Sequence, residues 1–205
     1  QLVRLQQFAL ATVDFQDEYV SDRFHAGREE DRGLRRKVVL TDPSVKLDDL
    51  EEIIEGNPNE SIVVFSQSRS MSHLAVRRLE SRGILARPYT GDVPQQARDA
   101  YEYDFQKGNI QVLCCTIRAG GEGITLHRSS TVVFFDRDWN PTRNRQAEKR
   151  VHRIGQIHPV QVIDIMARDT VDLGRKQRIA NKWEALEWIL GDKVPDRIRE
   201  AYANA

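Results

Sequence analysis

Between residues 60 and 166 the chain alternates short apolar runs with segments of helical spacing, a rhythm that few folds accept. The apolar runs are Ile62–Phe65, Ile84–Tyr89, Ile110–Cys115, Thr131–Phe135 and Val160–Met166. Each is short and continuously apolar or nearly so, as expected of a strand buried on both sides. Helical segments stand between them. Met71–Arg82 carries Leu74, Arg78 and Leu79 on one side and stops at Gly83, and Pro94–Lys107 opens on proline and closes on Gly108. Asn140-Pro141 reads as an N-cap followed by proline at the first helical position, opening an arginine-rich helix that Gly155 stops. Strand and helix repeated at this spacing give an α/β fold, a parallel sheet with helices on both faces. Ligands of such sheets bind at the carboxyl ends of the strands, so the residues after each strand are the ones to inspect.

The flanks read differently. Gln1–Tyr19 has helical character, Asp22–Arg36 is dense in charge and glycine and is expected to be an exposed connection, and a helix starts at Ser44 and runs to Glu55. Residues 171–205 read as helix with Trp183, Leu186, Trp188 and Ile189 on the apolar side. The net charge of +0 announces no nucleic-acid partner, but the charges are segregated. Asp42, Asp48, Asp49, Glu51, Glu52 and Glu55 cluster early, and Arg143, Arg145, Lys149, Arg150 and Arg153 cluster late. Adjacent Cys114 and Cys115 in an apolar run exclude a disulfide framework and point to a reducing compartment. The scattered histidines lack cysteine partners at ligand spacing, so no structural metal is expected. With no run of membrane-spanning length and no signal-peptide pattern, the expectation is a soluble intracellular protein, nuclear in a eukaryote and cytoplasmic in a bacterium or virus. The chain opens on Gln1, which points to a fragment, a mature product or a trimmed chain.

After the first strand come Ser66-Gln67-Ser68-Arg69, either ordinary helix capping or a phosphate-facing loop. After the second, Gly91 makes a turn with Arg98 one turn into the next helix, where it faces either a phosphate or the neighbouring Asp99 or Glu102. After the third, Thr116-Ile117-Arg118-Ala119-Gly120-Gly121-Glu122-Gly123 permits close backbone approach by a ligand, as many glycine turns would. After the fourth, Asp136-Arg137-Asp138-Trp139-Asn140-Pro141 holds a tryptophan with little apolar company. The helix that follows places Gln146, Arg150 and Arg153 at i, i+4, i+7, so they share one helix face. Such a stripe is either a solvated basic face or a means of stabilising charge on a transferring phosphoryl group.

The run Gln146-Ala-x-x-Arg150-x-His152-Arg153-Ile-Gly-Gln156 resembles motif VI of the Swi/Snf-like group of superfamily 2 helicase-type ATPases. Val-Phe-Ser-Gln at 64–67 resembles motif IV, Ala-Gly-Gly-x-Gly-Ile at 119–124 resembles motif V, and Asp-Trp-Asn-Pro at 138–141 is similar to a further signature of the group. The resemblance covers about residues 44–172 and implies a RecA-like second lobe of the P-loop NTPase type. Residues 1–43 would then be an N-terminal helix and connection, and residues 173–205 a helical extension. It implies catalytic roles for Arg150, Arg153 and Gln146 at nucleotide phosphates, nucleotide contact by Gly121, Glu122 and Gly123, and DNA contact by Ser66, Gln67, Arg69, Gly91, Thr116, Arg118 and Trp139. Thr125 stands where Asn is commoner, Asn144 where many relatives carry Asp, and Leu173 where most show an acid.

The chain contains no Gly-x-x-x-x-Gly-Lys-Ser/Thr loop and no Asp-Glu-x-His box. What the resemblance implies is therefore the second motor lobe of an ATP-dependent double-stranded-DNA translocase. ATP and Mg²⁺ would be held mainly by a first lobe of the same protein, and this chain alone is not expected to hydrolyse ATP. A non-motor DNA-binding or interaction module is the alternative, and the paired motif arginines argue against it. Gly120-Gly121-x-Gly123 followed by Asp136 also fits a dinucleotide-binding half, but such a half has no use for the motif VI helix.

Overall fold

A computed structural model describes residues 7, 9–19, 34–119, 123–168 and 170–190. Strand β3 (Ile62–Ser66) is buried at every position and forms the centre of a five-stranded sheet. Strands β4 (Ala86–Tyr89) and β5 (Val112–Thr116) lie to one side, and β6 (Thr131–Phe134) and β7 (Gln161–Asp164) to the other, in the order β4-β5-β3-β6-β7. All four pairings are parallel, with Phe65 level with Cys115 on one side and Phe134 on the other. This is the parallel α/β architecture that the alternation predicts and the RecA-like arrangement that the resemblance implies.

Successive residues of β3 serve opposite faces, because a strand has a period of two. Ile62 and Val64 join a core with Leu47, Leu50 and Ile54 of α1 (Val45–Gly56) and Met71, Leu74, Ala75 and Leu79 of α2 (Arg69–Ser81). Val63 and Phe65 join a second core with Phe105 of α3 (Gln95–Lys107) and Ala147 and Val151 of α4 (Pro141–Val151). Each helix begins and ends for a local reason. Ser44 and Ser68 accept from the amides of Leu47 and Met71 at the starts of α1 and α2, and Asn140 accepts from the amide of Thr142 with Pro141 at the first position of α4. Gly108 closes α3 in the left-handed conformation, at φ 84°.

Two expectations change, and a third falls partly outside the described residues. Thr12–Tyr19 is strand β1, paired antiparallel with β2 (Leu34–Thr41), where the sequence reads as helix and connection. The pairing is long-range and invisible to local periodicity; the rest of the expected connection, residues 20–33, lies outside the described residues. The base of this hairpin is tied to the lobe through Thr12 Oγ1 donating to the carbonyl of Pro43 and Ser44 Oγ to that of Leu10. Next, α4 ends at Val151, four residues before Gly155, so Arg153 is not on the helix. The amide of Leu126 donates to the carbonyl of Arg150 at 2.8 Å and takes up the acceptor that another turn would use. Finally, α5 (Val171–Leu190) occupies the C-terminal flank as expected, while residues 191–205 lie outside the described residues, as do the side chains of Leu186, Trp188 and Ile189.

Candidate functional site

The carboxyl ends of β3, β4, β5 and β6 open into one groove of about 510 Å³. Its walls are Gln67 and Arg69 after β3, Gly91 and Arg98 after β4, Thr116 to Ala119 after β5, and Asp138 after β6. Residues from four separate loops thus share one space because the parallel sheet aligns its strand ends. Three of the lining side chains are guanidinium groups and one is a carboxylate. Arg69 and Arg118 are exposed, whereas Asp138 is buried, accepting from the amide of Asn140 at 2.8 Å and pairing with Arg143 at 3.4 Å. The groove's free charge is positive.

Arg98 pairs with neither acid that its sequence neighbourhood offers. Its Nη2 donates to Gln95 Oε1 at 2.5 Å, its guanidinium lies 5.5 Å from the centre of the Tyr89 ring, and its buried Nε has no hydrogen-bond partner among the described residues. Burial, and then the negative charge of Glu102, push the Tyr89 phenol up to about 12, so it remains a neutral face for the guanidinium.

Five of the seven residues expected at DNA line this groove: Gln67, Arg69, Gly91, Thr116 and Arg118. Two do not. Ser66 is buried at 1% exposure and donates to Asp136 Oδ1 at 2.6 Å, a support beneath the loop rather than part of its surface. Trp139 is half-buried beside α5, with Arg175 and Arg178 at 5.1 and 5.8 Å from its ring centre, and Lys182 Nζ donates to its carbonyl at 2.8 Å. Helix α5 thus supplies the company that the local sequence lacks.

Gln146 is exposed and Arg150 half-buried on α4, and Arg153 follows on the exposed segment beyond it. Arg153 Nη1 donates to Thr125 Oγ1 at 2.7 Å and to the carbonyl of Ile124 at 3.3 Å. Gln156 Nε2 donates to the carbonyls of His127 and Ser129. The arginine segment is therefore strapped to the segment that follows the glycines, and Thr125, the departure from the commoner Asn, serves as an acceptor for Arg153. Of the expected nucleotide contacts, Gly121 and Glu122 lie outside the described residues. Gly123 is exposed at φ 74°, with open space where a side chain would stand.

Two residues to which the sequence reading gave no part in this site hold it from below. Asp136 accepts from Ser66 Oγ, from the amide of Gln67 and from Arg175. Arg137 pairs with Asp164 and Glu148 and lies 3.7 Å over the ring of Phe134. The acid-arginine alternation at 136–138 was the available signal.

Residues 45–155 match the family model for the helicase conserved C-terminal domain. The chain belongs to this family. Its relatives place the lobe in the Swi/Snf-like group of superfamily 2 helicase-type ATPases. It is 35% identical over 111 residues to the chromodomain-helicase-DNA-binding protein 1-like of Danio rerio, covering 54% of this chain and 11% of that one. It is 33% identical over 158 residues to the chromatin-remodeling ATPase INO80 of Emericella nidulans, covering 77% of this chain and 10% of that one. The chain thus spans about a tenth of the length of these relatives. In fold it is similar to the C-terminal part of the Fun30 ATPase domain, with a TM-score of 0.63 at 24% identity over 66% of this chain and 45% of that one. Among the described residues no helix is long and apolar enough to cross a membrane.

Proposed function

We propose that this lobe is the second half of an ATP-driven motor on double-stranded DNA, gripping the backbone through the groove and serving ATP through the arginine segment. The observation that carries the reading is the convergence of Gln67, Arg69, Gly91, Thr116 and Arg118 on one positive groove at the strand ends. Arginines, a hydroxyl and a glycine turn suit phosphate oxygens, which position a protein on a duplex without reading its sequence. The names of the relatives carry the words helicase, DNA-binding and ATPase, which agree with this chemistry.

ATP with its Mg²⁺ would be held mainly by a first RecA-like lobe, and the donors here fit a polyphosphate's outer charge. Gln146 and Arg153 are exposed, and Thr125 Oγ1 and the Ile124 carbonyl restrain the Arg153 head without an opposing carboxylate among the described residues. Bound ATP supplies the phosphoryl group. Arg150 and Arg153 offset the charge that develops on it, and Gln146 orients polar atoms beside it. Because Arg153 is strapped to the segment following the glycines, a shift of one moves the other, which links nucleotide to groove.

The test is Arg153→Ala in the full-length protein. DNA-stimulated turnover should fall about 10³-fold or more, as for other arginine fingers, while duplex affinity stays near wild type. The 205-residue chain alone should turn over no ATP. Retained turnover with lost DNA binding would assign Arg153 to the nucleic acid, and DNA binding with no nucleotide dependence would favour a non-motor module.

A further inference from the structure

We infer that Arg175 is a positioning residue for the groove: acting through Asp136 and the Arg137 carbonyl, it fixes the Gln67 side chain, so that the C-terminal helix controls nucleic-acid contact. The inference rests on the groove being the nucleic-acid surface. Arg175 lies on the first turns of α5 and is 2% exposed. Its Nη1 donates to Asp136 Oδ2 and to the carbonyl of Arg137, both at 3.1 Å. The other carboxylate oxygen of Asp136 accepts from Ser66 Oγ at 2.6 Å and from the amide of Gln67 at 3.0 Å. Gln67 Nε2 donates to the same Arg137 carbonyl at 2.5 Å. A helix that does not line the groove thus shares one acceptor, the Arg137 carbonyl, with the Gln67 side chain that does, and a second, Asp136, with the backbone amide of the same residue.

The contact continues along one face of α5. Arg175, Arg178 and Lys182 stand at i, i+3 and i+7. The two guanidinium groups face the ring of Trp139, and Lys182 Nζ holds its carbonyl. The helix thus clamps residues 136–139 as a unit, and the loop after β3 hangs from that unit through Asp136.

Sealing α5 onto the sheet does not by itself call for a buried arginine. A well-packed apolar side chain does so as well or better, since a buried ion pair barely repays the desolvation of its charges. The helix also has a second anchor at its start: Lys46 Nζ donates to Asp172 and to the carbonyl of Phe135. What an apolar residue cannot supply is the directional hold on Asp136 and on the Arg137 carbonyl, and through them on Gln67.

The test measures short-duplex affinity by fluorescence anisotropy in the full-length protein, well below the melting midpoint of every variant. Arg175→Met should weaken binding about tenfold, the scale of one lost polar contact. The same change in a Gln67→Ala background should add almost nothing, because the residue it positions is gone. Arg175→Lys should recover part of the loss by restoring the pair with Asp136. A lower melting midpoint with unchanged affinity, or a loss that multiplies fully with that of Gln67→Ala, overturns the inference. Should Arg175→Met fail to fold, Arg175→Lys is read by the same criterion: a partial loss absent in the Gln67→Ala background supports positioning, and wild-type affinity with reduced stability refutes it. Arg118→Ala separates this outcome from failure of the groove itself, since Arg118 makes no contact with α5 among the described hydrogen bonds. If Arg118→Ala and Arg69→Ala leave affinity unchanged, the groove is not the DNA surface; if they weaken it while Arg175→Met does not, only the positioning role falls.

Discussion

Trp139 is held by Arg175 and Arg178 at its ring and by Lys182 at its own carbonyl, and the residue is only half-buried. Such a side chain is both a piece of the packing and a surface. Trp139→Ala should therefore cost about 1–2 kcal/mol in urea unfolding, below the ~3–5 kcal/mol of a fully buried aromatic, and should also lower DNA stimulation of turnover in the full-length protein. A loss at the fully buried level with normal stimulation would make the ring purely structural. The difficulty of this residue is instructive. Its sequence neighbours are acids, an asparagine and a proline, and its true neighbours arrive from α5 more than thirty residues later, which no local pattern reveals. Asp136 was hidden for the same reason, since its three donors come from β3, from the loop after it and from α5. The place of Gln67, Arg69, Thr116 and Arg118 at one edge, by contrast, was legible, because each ends or follows a buried strand, and strand ends of a parallel sheet gather on one edge.

At the scale of elements, legibility followed locality. The strands of the sheet and helices α1 to α4 lie where apolar runs, serine and asparagine caps and glycine stops put them, apart from the shorter end of α4. There the Leu126 amide captures the Arg150 carbonyl, and Arg153 is delivered on the turn that follows the helix. The β1–β2 hairpin was missed, since its partners meet only through long-range pairing. Helix α3 shows how sharply a local stop is specified. Gly108 has φ 84°, and the Arg128 guanidinium occupies the space that a side chain there would fill, with Nη2 2.4 Å from the ideal Cβ position. Arg128 Nε is meanwhile bonded to Ser61 Oγ at 3.1 Å. Gly108→Ala should destabilise the protein by about 1–2 kcal/mol, mostly from the left-handed backbone and partly from the displaced Arg128. Urea denaturation measures it, and the Arg128→Ala background should relieve only the smaller part.

Taken whole, the molecule keeps its acids and its working arginines apart. Arg78 draws Glu51, Asp48 and Asp42 into a network on the α1–α2 side, and those carboxylates together hold its guanidinium protonated far above its ordinary range. The strand-end groove is thereby left to Arg69, Arg98 and Arg118, and a chain of zero net charge carries a positive edge. The central sheet that divides the two cores has one further consequence. Cys114 packs into the core beneath α1 and α2, and Cys115 into the one beneath α3 and α4, so neighbouring thiols look into opposite halves of the protein. Burial pushes the Cys114 thiol up to about 12 and raises that of Cys115 as well, so neither reacts until its own side opens. Single-cysteine variants thus turn alkylation into two separate clocks, one for each half. Leu47→Ala should speed the Cys114 clock and leave Cys115 slow, and Phe105→Ala should do the reverse. If both clocks quicken equally in each variant, the halves do not breathe independently, and a pull on one side of the sheet is felt at once on the other.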